Sequence, residues 1–154
     1  MIKHIWSVLC KESIINQDDN NLSIVNVLEA LQVNLKPTNI QNKDQKLEAI
    51  VPINYEMVSF YTRDNKKEEE VKFEQELALI NHKGEEINKD IKEIVIPAGT
   101  KRMRTRVKIS GIKVQGSGDY IFQVSIKEEG QKLLKIVAEI PLEVTVTVEE
   151  SSAR

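Results

Sequence analysis

The dominant pattern along the chain is alternation of apolar and polar residues at period two, which places every second side chain on one face of a β-strand. Val71, Phe73, Leu77 and Leu79 share one face, against Lys72, Glu74 and Glu76 on the other. Met103, Val107 and Ile109 alternate with Arg102, Arg104, Arg106 and Lys108. Tyr120, Phe122, Val124 and Ile126 form a third run, and Leu134, Ile136, Ala138 and Ile140 repeat it after Glu128, Glu129 and Gly130, as expected of a hairpin. Leu142, Val144, Val146 and Val148 continue beyond Pro141, which marks an edge or a break because proline cannot donate to a ladder. Ile2 to Cys10 is apolar on both faces and predicts a buried central strand. Ala49, Val51, Ile53, Tyr55 and Met57 alternate again, with Pro52 predicting an edge and a slip at Val58, Phe60 and Tyr61 predicting a bulge.

One segment departs from this pattern. Ile24, Val27, Leu28 and Leu31 fall at helical spacing behind Asn20, Asn21 and Ser23, which are capable caps, so a short helix or helical turn is predicted over 23–31. A strand is the alternative, because β-branched residues lose rotamer freedom in helices. The expectation is an all-β fold: an antiparallel two-sheet sandwich of about eight strands carrying one helical turn. Residues 1–150 are read as one domain and 151–154 as a disordered tail; an open barrel is the second choice of architecture.

The 154 residues suffice for one self-supporting core, with 40% apolar and 30% charged positions. Cys10 is the only cysteine, which rules out an intramolecular disulfide. With no signal-peptide pattern and no long apolar run, a cytoplasmic, non-membrane protein is expected. The stretch IWSVLCKESIINQDDNNLSIVNVLEAL, the later GDYIFQV and the IPLEV near the end resemble a group of short uncharacterised bacterial β-sandwich proteins. The resemblance implies a bacterial β domain and brings neither an activity nor catalytic residues.

Charge changes the picture at one place. The net charge is −2, yet 98–118 carries Lys101, Arg102, Arg104, Arg106, Lys108 and Lys113 with no acidic residue. Arg102, Arg104, Arg106 and Lys108 project from one strand face at intervals of about 6.7 Å, a spacing suited to phosphates or an acidic partner. The structural alternative is pairing across a sheet with Glu74, Glu76 or other glutamates, since 64–93 holds ten acidic and six basic residues, a net of −4. No aromatic residue interleaves with the row, which favours the structural alternative, because single-strand nucleic-acid platforms combine charge with stacking rings.

The remaining chemistry is sparse. Asp18, Asp19, Asn20 and Asn21 are hard oxygen donors without the spacing of a calcium loop, and read as turn chemistry. His4, His82 and Cys10 lack metal-ligand spacing, and Cys10 reads as core filling rather than as the nucleophile of a Cys-His pair. Gly111, Gly116 and Gly118 read as a turn and not as a dinucleotide fingerprint. No catalytic, metal or cofactor constellation is predicted. The expectation is a non-enzymatic binding or structural interaction module whose partner is protein, either a second copy of itself or another chain. Polyanion or nucleic-acid binding through the basic row is the alternative, and an enzyme without a recognisable motif the third reading.

Overall fold

The computed structural model describes residues 1–36, 48–64 and 68–149. The expected tail at 151–154, most of the polar stretch after Lys36 and part of the charged run at Lys66 lie outside the described residues. The fold is all-β. Among the described residues there are nine strands: β1 (Ile2–Ile15), β2 (Leu22–Val27), β3 (Ala30–Leu35), β4 (Ala49–Arg63), β5 (Val71–Ile80), β6 (Glu86–Ile96), β7 (Arg102–Val114), β8 (Gly118–Glu128) and β9 (Lys135–Val148). They form a four-stranded sheet in the order β2-β1-β4-β7 and a five-stranded sheet in the order β3-β9-β8-β5-β6. All pairings are antiparallel except β3 with β9.

The helical turn expected over 23–31 is not present. Ile24 lies in β2 of one sheet and Leu31 in β3 of the other. Their apparent helical spacing comes from two short strands joined at a kink. Asn26 takes a positive φ of 60° just before the crossing, and Leu28 turns into the core. This split strand contributes to the excess over eight. β6 contributes too, because its exposed Lys89, Asp90, Lys92 and Glu93 mask its alternation.

Pro52 and Pro141 both lie at local edges, as expected. Pro141 is inside a continuous β9 rather than at a break. Glu143 sends its N–H to Glu29 on the β3 side, and residues two apart on a strand direct their backbone groups to the same side. The donor that Pro141 lacks therefore falls on a flank β3 does not reach. Pro52 lies where β4 has only β7 as neighbour, within a register shift between Val51 and Asn54. The slip expected at Val58–Tyr61 is absent from the β4–β7 register; the irregularity lies opposite it, between His4 and Trp6 of β1.

The two sheets enclose a main cluster that includes Leu9, Met57, Leu79, Val107, Tyr120, Val124 and Leu142, and a smaller one of Ile2, Tyr61, Phe73, Ile96 and Ile126. Removal from water of a side chain of this size contributes about 1.5–3 kcal/mol. Between the sheets lies a polar bridge. The Tyr61 hydroxyl of β4 and the Thr105 hydroxyl of β7 both donate to Oε1 of the buried Gln75 on β5, at 2.6 and 2.8 Å. Burial pushes the Tyr61 phenol far above its usual range, against the hydrogen bond with Ser59, so it stays a donor.

At the opposite end the Tyr120 hydroxyl accepts from Gln115 N–H at 2.9 Å and donates to the Gly116 carbonyl at 2.8 Å, pinning the β7–β8 turn as tyrosine corners do in Greek-key sandwiches. His82 stacks on that ring, and a Cβ at Gly118 would come within 2.4 Å of the His82 Cβ, so only glycine fits there.

Gln75→Leu should strand two buried hydroxyls and destabilise the fold by about 2–5 kcal/mol in urea unfolding. Removing all three polar groups together, by Tyr61→Phe, Gln75→Leu and Thr105→Val, should restore most of that loss. Equal instability of the single and triple variants would refute the bridge.

Candidate nucleic-acid interface

The basic row lies on β7, the edge strand of the four-stranded sheet, facing away from the other sheet. This orientation follows from register. Met57, Ser59 and Tyr61 of β4 oppose Val107, Thr105 and Met103, and these turn inward. Their neighbours Glu56, Val58, Phe60 and Thr62 oppose Lys108, Arg106, Arg104 and Arg102 on the outer face.

The expected pairing with Glu74 and Glu76 does not occur. Both belong to β5 of the other sheet, where Glu74 meets Lys127 at 3.0 Å and Glu76 meets Lys89 at 3.9 Å. Among the described residues, Arg102, Arg104, Arg106 and Lys108 form no ion pair, and all but the half-buried Arg104 are exposed. Arg104 donates from Nη2 to the Asn20 carbonyl at 2.6 Å, which draws the β1–β2 turn over the outer face.

The aromatic residues missing from the row are supplied by the adjacent strands. Trp6 of β1 opposes Phe60 of β4, and Phe60 opposes Arg104 of β7, so two rings and a guanidinium form one line across three strands. The rings are stacked, with centroids 5.7 Å apart and planes at 29°. They line a cleft of about 490 Å³ with Arg102, Arg104 and the turn residues Asp19, Asn20 and Asn21. The cleft thus offers ring faces and cations side by side, the two groups that bind an extended nucleic-acid strand. The pairing is non-local, which is why the sequence concealed it.

The other candidates are not brought together. In the β1–β2 turn, Asn16 Oδ1 accepts from Asp18 N–H and Asp19 Oδ1 from Asn21 N–H, both at 2.9 Å, so two side-chain oxygens of this turn are committed to the turn itself. His4 and Cys10 face opposite sides of β1, and His82 lies against Tyr120 at the far end of β5. Burial, reinforced by Glu56 and opposed by the Glu12 backbone, pushes the Cys10 thiol up and suppresses its thiolate. The three glycines carry positive φ but no helix follows them.

The sequence reading also missed a polar chain on the inner side of β1. His4 Nε2 lies 2.7 Å from the Ser7 hydroxyl, which lies 2.7 Å from the Ser59 hydroxyl. Both partners of the Ser7 hydroxyl are therefore supplied from within the fold. Burial lowers the His4 pKa from 6.5, opposed by a backbone hydrogen bond with Trp6, so the imidazole is neutral at pH 7.

No family model matches the chain, and no curated protein matches it.

Because the folded protein resists protonating His4, the unfolded chain binds more protons once the pH drops below 6.5. Stability should therefore fall as the pH falls through that value toward the lowered native pKa. In urea titrations between about pH 7.5 and pH 5 the wild type should lose more stability than His4→Gln. Parallel curves for the two proteins would count against a neutral buried His4.

Proposed function

We propose that this protein is a non-enzymatic binding module that holds an extended single strand of nucleic acid on the outer face of its four-stranded sheet. The observation that carries the reading is the stacked Trp6–Phe60 pair in line with Arg104, flanked by the unpaired Arg102 and Arg106. Stacking of a base on an aromatic side chain contributes about 1–3 kcal/mol and tolerates any base. Cations about 6.7 Å apart along β7 meet the backbone beside it. Each phosphate neutralised releases counterions, which adds affinity at low salt.

The modest net charge of −2 fits a local rather than global attraction. The five-stranded sheet carries the acidic β5–β6 region, so repulsion there directs a polyanion to the opposite sheet. A bacterial cytoplasmic setting is part of the proposal; the lone cysteine is buried and unpaired, and no helix among the described residues is long and apolar enough to cross a membrane.

Trp6 is the only tryptophan, so its fluorescence reports on the cleft. Titration with an unstructured oligonucleotide should quench it, and the affinity should fall with salt with a slope of about −2 for three phosphate contacts. Arg102→Glu with Arg106→Glu should flatten that slope. Trp6→Ala, read by anisotropy of a labelled oligonucleotide, should weaken binding by about 5- to 150-fold at unchanged slope. Salt-independent binding, or binding without quenching, would overturn the base-stacking reading.

A further inference from the structure

The flank opposite β7 carries a second surface of opposite sign. β2 covers β1 only from Cys10 to Ile15, and β3 covers β9 only from Glu143 to Val148. Upstream of those points, β1 and β9 each have a single neighbouring strand, β4 and β8. The boundary is the crossing of the chain between the sheets. There Leu28 N–H donates to the Leu9 carbonyl at 2.8 Å and Glu143 N–H to the Glu29 carbonyl at 3.1 Å.

A cleft of about 500 Å³ opens at this crossing. Val8, Leu9, Leu28 and Ile140 give it an apolar floor, and Glu29, Asp119 and Glu143 border it. The three carboxylates are exposed, and none forms an ion pair among the described residues. Asp119 and Glu143 stand directly opposite each other in the β8–β9 register. Like charges in that position repel and destabilise a sheet, and an external cation between them would relieve the repulsion. The exposed Ile5 and Val27 extend the apolar surface along β1 and β2.

We infer that this groove is a docking site for an extended peptide in which lysine or arginine alternates with apolar residues. Alternation at period two sends the apolar side chains to the floor and the cations to Glu29, Asp119 and Glu143. The β1 edge that β2 leaves uncovered upstream of Cys10 is the side along which the peptide lies, from Lys3 to Val8, since the Ile2 N–H is already held by Glu128 Oε1 at 2.7 Å. The β9 edge is guarded by Pro141 and by the bulged residue Val137. The inference does not rest on the nucleic-acid reading, since none of the groove residues belongs to the β7 row.

The test is calorimetric titration with a synthetic peptide of alternating lysine and valine, against the same peptide with glutamate for lysine. The lysine peptide should bind and the glutamate peptide should not. Asp119→Asn with Glu143→Gln should weaken binding at least tenfold, and thermal melting of this variant should show it folded and no less stable than the wild type. Glu85→Gln with Glu86→Gln, and separately Arg102→Glu with Arg106→Glu, should leave peptide binding unchanged. Failure of the lysine peptide to bind, or binding that survives neutralisation of Asp119 and Glu143, overturns the inference. Sedimentation provides the last check: self-association abolished by the same neutralisation would make a second copy of the chain the occupant and overturn the peptide assignment.

Discussion

The side-chain amide of Gln75 joins the two halves of this sandwich. It projects from the five-stranded sheet and receives the hydroxyls of Tyr61 and Thr105 from two strands of the other sheet. Apolar contacts between sheets tolerate sliding, whereas a buried acceptor shared by two donors does not. Once Tyr61 and Thr105 face inward, strand alternation sends Phe60, Arg104 and Arg106 outward on the same strands. The outer face therefore inherits its arrangement from a buried hydrogen-bond pair one residue away.

Much of the fold was legible in the alternation because most strands have one wet and one dry face. The runs from Val71, Met103, Tyr120 and Leu142 all recur as strand segments. Legibility failed where that contrast failed. β6 is an edge strand with a largely exposed charged surface, so Ile87, Ile91 and Ile94 stood out too little. The helical turn expected over 23–31 gives way to two strands because a kink at Leu28 joins the two sheets while mimicking a helical repeat. Pro52 and Pro141 mark local edges in sequence and structure alike, because a proline has no donor to give a ladder.

The candidate interface was half legible. Arg102, Arg104, Arg106 and Lys108 are consecutive outward positions of one strand and could be read directly. Trp6 and Phe60 could not, since their place beside the row depends on the β1–β4 and β4–β7 registers, which tie residues far apart in the chain. The acidic cluster on the other flank was hidden for the same reason. Glu29, Asp119 and Glu143 come from three separate strands or connections and meet only at the sheet-to-sheet crossing. Two charged flanks of opposite sign on a chain of net charge −2 are invisible to overall composition.

The parallel pairing of β3 with β9 has a consequence for how the chain reaches its native state. The Thr147 hydroxyl donates to the Val33 carbonyl across 114 residues of sequence. During synthesis at about 5–20 residues per second, β3 emerges roughly 6–23 s before the strand that completes it. Over that interval Val33 and Leu35, buried in the finished fold, have no sheet to enter. A nascent chain of this protein thus carries an early strand whose apolar side chains stay unburied until β9 has been made.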